Sequence, residues 1–387
     1  MNKLLFIDAL RGMAILGVLI NHAARNIEVW GILGKNVHLT PWVYQIMAQG
    51  SRGVQLFFVA SAFTLCLSYE RRKNEKNPLL NFFIRRFFRI APLFYCGFLF
   101  YTIRPVLLEN KELPSFGHIF STLTFTNGWN PYWFNAANAI VPGGWSIAVE
   151  MTFYLLFPFL FSRIRSLNQA IYVTAGSLLI SRVIFFVLDS YFQINDKNLW
   201  NIFISGWFPN QLPIFFIGFI FYFIFSNFRS TSIDLDRKYL SEFITKKSFI
   251  KLLLAVSIVL LVILPFFHHK LIPISFVFGL DFLLLATCLA IYPSRLLVNR
   301  FFCFLGTISF SGYITHFYVL NLAHRALHRL HLNYLPPELY LIVLIGIALA
   351  GTIVISYFCY KFIEIPGQTL GRKLIVALEA RKLWFLK

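Results

Sequence analysis

Ten apolar stretches of helical length, spread along 387 residues, constrain this chain more than any single motif in it. They run over 4–22, 53–69, 87–103, 145–161, 170–188, 201–226, 250–267, 271–292, 304–322 and 338–360. A hydrocarbon layer of roughly 30 Å is crossed by ~20 helical residues. Backbone N–H and C=O groups find no water in that layer, so each segment must satisfy its own, which an α-helix does. The pattern predicts an all-α integral membrane protein of about ten transmembrane helices.

Charge sets the orientation. Only 13% of residues are charged, against ~25% in soluble domains. The net charge of +19 could suggest nucleic acid as a partner, but its placement argues for topology instead. With the N-terminus in the cytoplasm, 24 of the 35 Lys and Arg fall on the cytoplasmic side and nine on the other, while Arg11 and Arg182 lie within spans. That bias places both termini in the cytoplasm. The partners it favours are membrane lipids or an anionic cytoplasmic ligand, not nucleic acid. The first stretch has no small-residue cleavage site and carries Asp8 and Arg11, so it reads as a span and not a signal peptide. Five cysteines without CxxC spacing suggest core packing. A single membrane domain over 1–372, with a short basic tail over 373–387, is expected; nothing in the sequence specifies an oligomeric state.

The first span, LLFIDALRGMAILGVLINH, holds Arg11 and His22 eleven positions apart. Eleven helical steps return both side chains to one face, ~16 Å apart along the axis. Ionisable groups at membrane depth are costly and mark function by default. Asp8 could pair with Arg11 at i,i+3, leaving His22 as an interfacial cap. Alternatively, Arg11 meets an anion and His22 serves as a base near neutral pH. Arg86 and Arg89, within RRFFR at the cytoplasmic start of the third span, either contact lipid headgroups or grip phosphate with their planar forks. Glu150, in GGWSIAVE at the outer start of the fourth span, could pair with Arg182, orient a histidine or position a hydroxyl. The outer segment 126–145 interleaves Trp129, Tyr132, Trp133 and Trp145 with amides, as suits a sugar or an interfacial aromatic belt. His316 stands alone in its span. His324, His328 and His331 share a helix face, but no acidic or cysteine ligand lies near them, and no metal is expected.

The phrases FIDALRGMAILGVLINH, GVQLFFVASAFTL, RRFFRIAPLFY, GGWSIAVEMTFYLLFP and LGTISFSGYITHF occur in this order. Together they resemble the membrane-bound acyltransferase-3 family, which acylates bacterial surface polysaccharides and related molecules. The resemblance runs from Phe6 to about Arg372. Its Arg-x10-His element falls on Arg11 and His22, and its RxxR element on Arg86 and Arg89. It departs from the family pattern at Gln55, Ala62 and Met151. The extra C-terminal esterase-like domain of some relatives is not expected.

The resemblance implies an acetyl-CoA-dependent O-acetyltransferase of the bacterial cytoplasmic (inner) membrane. The acyl donor would come from the cytoplasm, and the acceptor would be a glycan hydroxyl at the outer face. The catalytic residues expected are His22 and Arg11, on which the family's Arg-x10-His element falls, and Glu150, read from its own place in the fourth span as a group that orients the imidazole. Arg11, Arg86 and Arg89 are expected on the coenzyme A. Trp129, Trp133, Trp145, Ser146 and His316 are the acceptor-binding set expected from residue type and position. A transporter or flippase with intramembrane ion pairs, and no acyl transfer, is the alternative.

Overall fold

A computed structural model describes residues 4–30, 38–134, 139–192, 194–230, 247–267 and 272–384. Secondary structure among these is entirely helical. The helices are α1 (Leu5–Trp30), α2 (Pro41–Ala48), α3 (Gly53–Arg71), α4 (Pro78–Glu109), α5 (Phe116–Leu123), α6 (Pro131–Phe134), α7 (Gly144–Arg163) and α8 (Leu167–Tyr191). They continue as α9 (Lys197–Gly206), α10 (Phe208–Ser230), α11 (Lys247–Ile263), α12 (Ile274–Ile291), α13 (Arg300–Thr307), α14 (Ser309–Arg329), α15 (Pro337–Cys359) and α16 (Ile365–Trp384). Among the described residues, nine helical stretches are long and apolar enough to cross a membrane, and the bent pair α13–α14 makes a tenth if it is one span. The chain is a multi-pass membrane protein. Exposed apolar side chains such as Leu179 (67%) and Phe186 (72%) on α8 fit a helix whose solvent is lipid.

Two compact units divide the chain. The first comprises Met1–Thr64, Ser166–Thr174 and Pro213–Val354, and α1 is its axis. α13 packs on α1 backbone to backbone: a Cβ on Gly12 would lie 2.0 Å from the Phe302 carbonyl oxygen, and one on Gly306 1.8 Å from that of Asp8. Only glycine permits that approach, the same use of small residues that lets membrane helices cross closely. Further along α1, Leu19, Ala23 and Ile27 join Leu320, Ala323 and Leu327 of α14 and Tyr340 and Leu344 of α15 in one buried cluster.

The sequence pattern read 304–322 as one continuous span, but the chain bends by 83° between α13 and α14, at Ile308. Gly306 explains the difference. It is a weak helix former, by ~1 kcal/mol relative to Ala, placed where α13 must press onto α1. Hydropathy averages over the bend and cannot register it.

The second unit comprises Leu65–Arg165, Ala175–Leu212 and Ile355–Lys387. Its core is aromatic, with Phe82 of α4 stacked 5.5 Å from Phe157 of α7, and Tyr69 edge-on to both. α16 lies against α4 where Gly371 approaches Phe88. Helical structure continues past the expected span end at 360, through a π-turn at Tyr360–Glu364 into α16. The turn between α3 and α4 is fixed by Glu75, whose carboxylate accepts from Arg85 at 2.9 and 3.2 Å and from Asn81 at 3.0 Å. Asn81 uses its second amide hydrogen on Glu379 of α16, at 2.8 Å. Burial raises the Glu75 carboxyl, but the bonds from Arg85 and Asn81 and the charges of Arg85 and Arg72 prevail and hold it below its ordinary value.

Candidate active site

In the first unit, α1 presents Arg11 and His22, both half-buried. The Arg11 guanidinium donates from Nη2 to Thr64 Oγ1 at 3.2 Å. The Thr64 hydroxyl in turn donates to a backbone carbonyl one turn earlier, Ala60 at 2.9 Å or Ser61 at 3.0 Å, so its oxygen is oriented to receive the guanidinium. His22 sits in a three-ring cluster. Its ring centre is 4.3 Å from that of Phe317 and 5.3 Å from that of His316, with His316 and Phe317 4.2 Å apart. His316 has no exposed surface, and its Nδ1 lies 3.1 Å from the Gly312 carbonyl oxygen. Its Nε2 is buried and without a hydrogen-bond partner among the described residues.

In the second unit, the two arginines of the RxxR element differ in surroundings. Arg86 holds its guanidinium 5.8 Å from the Phe82 ring and 6.0 Å from the Tyr154 ring. Such aromatic faces attract a cation. Arg89 is half-buried and makes no ion pair or side-chain hydrogen bond among the described residues. Arg85, their neighbour, is committed to Glu75. The Tyr154 hydroxyl donates to Glu150 Oε1 at 2.5 Å, one turn along α7. Arg182 lies over the Phe185 ring at 4.3 Å. This unit therefore assembles Arg86, Tyr154 and Glu150 as a cation, a phenol and a carboxylate in sequence.

The outer aromatic segment divides by exposure; its residues 135–138 lie outside the described part. Trp129 is 46% exposed, with its indole N–H anchored on Thr152 Oγ1 at 3.1 Å, so one face is fixed and open. Trp133 stacks on the His118 imidazole, ring centres 5.4 Å apart and planes within 6°. Burial lowers the pKa of His118, which favours the neutral ring in that stack. Trp145 packs 5.0 Å from Phe134 beside Phe203 and Trp200, and Ser146 is buried with its hydroxyl donating to the Gly143 carbonyl at 3.0 Å. These two shape the start of α7, while Trp129 faces outward. His324 shares a hydrogen bond of 3.0 Å with the Tyr340 hydroxyl, and no group of three His, Cys, Asp or Glu suited to a metal comes together among the described residues.

Across residues 4–360 the sequence matches the model of the acyltransferase domain family. The chain belongs to that family. It is similar to the O-acetyltransferase OatA of Staphylococcus aureus strain MRSA252, 26% identical over 410 residues, covering 98% of this chain and 60% of that protein. OatA of strain NCTC 8325 is 31% identical over 165 residues, covering 39% of this chain and 24% of that protein. The chain thus spans at most 60% of the length of these relatives. No solved structure matches it.

Several residues of this acyltransferase-family chain escaped the sequence reading. Thr64 was hidden because a threonine in an apolar helix ordinarily bonds its own backbone. Tyr154 follows Glu150 by four positions, so i,i+4 adjacency on α7 could have revealed it. Phe317 and His118 gave no signal, since their significance is which ring they meet.

Proposed function

We propose that this protein is a multi-pass O-acetyltransferase of a bacterial cytoplasmic membrane, with both termini in the cytoplasm. It moves an acetyl group from cytoplasmic acetyl-coenzyme A to a hydroxyl of a surface or lipid-linked glycan. Family membership and the name of the OatA relatives support the reaction class. The observation that carries the site is His22: a half-buried imidazole on the α1 face of Arg11, packed against a second imidazole. An imidazole held in place by packed rings suits proton abstraction from an alcohol.

His22 takes the proton of the acceptor hydroxyl as the new C–O bond forms. The C–S bond of the thioester breaks, and the coenzyme A thiolate recovers a proton. In the covalent variant His22 accepts the acetyl group first and passes it to the hydroxyl. Arg11, Arg86 and Arg89 are assigned to the donor's phosphates, following the motifs that carry them. Glu150 is assigned to the reaction through its link to Tyr154. On the acceptor, Trp129 offers an open ring face to a sugar, with Trp133 beside it in sequence, and Trp145 and Ser146 hold the segment in place.

The test is transfer of labelled acetyl from acetyl-coenzyme A by purified protein, paired with mass analysis of surface glycans from cells with and without it. One added acetyl group at a defined hydroxyl, absent with His22→Ala, is expected. Substrate flux with no release of free coenzyme A would replace this reading with that of a transporter.

A further inference from the structure

The fully buried His316 is chemically committed at one nitrogen and vacant at the other. A carbonyl oxygen only accepts, so the contact of 3.1 Å with Gly312 requires that Nδ1 carry the proton of a neutral ring. Nε2 is then a lone pair. It is buried and has no hydrogen-bond partner among the described residues, and an unmet acceptor at that depth carries a cost that calls for an explanation.

That tautomer narrows what His316 can do. A lone pair cannot donate to an oxyanion, so stabilising a tetrahedral intermediate is excluded for the neutral ring. It can only receive a hydrogen bond. His316 has no exposed surface, whereas His22 is half-buried, so of the two rings His22 is the more accessible. The ring centres are 5.3 Å apart, and an N–H···N bond of ~2.9 Å between two imidazoles places their centres roughly 5 Å apart. The distance is that of a bonded pair, although Nε2 makes no hydrogen bond in this arrangement of the rings. A small rotation of the His22 ring would close it, as catalytic hydrogen bonds often tighten only with substrate bound.

We propose that His316 is the positioning residue of His22: its Nε2 accepts the His22 N–H and so turns the other His22 nitrogen, unprotonated, toward the acceptor hydroxyl. When His22 takes the hydroxyl proton, the resulting imidazolium donates to the same lone pair. No proton passes to His316. The substrate contact expected of His316 from the sequence thus becomes an indirect one. Phe317, within 4.3 Å of both rings, closes the pair on its third side.

This inference rests on the acetyltransferase reading, and its test separates the two. His316→Phe keeps a flat ring but no acceptor, whereas His316→Gln places an amide oxygen near the position of Nε2. With acetyl-coenzyme A and a glycan acceptor, His316→Phe is expected to lower kcat roughly 10²-fold with little change in either KM, and His316→Gln to recover at least a third of that loss on a logarithmic scale. If His316→Phe does not fold, as judged by thermal unfolding in detergent, His316→Met replaces it in the same comparison. Selective 15N labelling of histidine supplies a readout independent of turnover: His316 Nε2 should resonate as an unprotonated nitrogen. Protonation at Nε2, a kcat within threefold of wild type for the apolar variant, or equal loss in a folded His316→Gln would overturn the assignment and leave the acetyltransferase reading intact. Absence of thioester-dependent transfer by the wild type would overturn both.

Discussion

His22 and His316 meet aromatic rings and a backbone carbonyl in the first unit, whereas in the second Arg85 is clasped by a carboxylate, Arg86 lies against two aromatic faces and Glu150 accepts from a phenol. The contrast follows from what each kind of group needs. A permanent cation or a carboxylate at membrane depth demands compensation, and the second unit supplies it from Glu75, Phe82 and Tyr154. An imidazole can stay neutral, so the first unit can bury His316 with Nε2 unbonded among the described residues.

That comparison breaks most directly at His22. His22→Ala should lower acetyl transfer ~10³-fold in protein that still inserts and unfolds at the wild-type temperature. Retained transfer would shift the chemistry to another group. If Arg86 binds the donor and does not react, Arg86→Ala should raise the KM for acetyl-coenzyme A about 10-fold, the loss expected of one charge-assisted contact, with kcat nearly unchanged. An equal fall in kcat would erase the distinction between Arg86 and His22. The scaffold of the first unit is probed by Gly306→Ala, which must push α13 off the Asp8 carbonyl. Overpacking of this kind costs about 1–3 kcal/mol, read as a lower unfolding temperature in detergent.

The smallest effect concerns Glu75. Its carboxyl is held below its ordinary value in the folded state, so its contribution is complete above the unfolded value and is lost as pH falls through the folded one. Hydrogen exchange at the start of α4 should therefore quicken below about pH 4 in the wild type. Glu75→Gln should make it faster at neutral pH and flat across that range, for an effect of about 0.2–1 kcal/mol.

The ten apolar spans were legible because hydrocarbon imposes one rule on every crossing segment, and nine stretches with one bent pair answer to it. Arg11 and His22 were legible as ionisable groups inside an apolar span, and Arg86 and Arg89 as a basic cluster at the cytoplasmic start of another. Most of the partners of those residues were not, because they come from distant sequence positions that happen to be packed together: Thr64 for Arg11, Tyr154 for Arg86, His316 and Phe317 for His22. Trp145 and Ser146 illustrate the reverse. Their residue types suit a sugar, yet α7 uses both in packing its own first turn.

Sequence alone determined the solvent, the helical class, the charge bias and the family phrases, since each depends on residue type and spacing along one segment. Tertiary structure alone decided the 83° bend, which arises where Gly306 meets the backbone of α1. It also decided the surroundings of His316, whose Nδ1 meets the Gly312 carbonyl oxygen while its Nε2 has no hydrogen-bond partner among the described residues. Helical periodicity fixes which side chains share a face; which atom waits across from that face is set by how the helices pack.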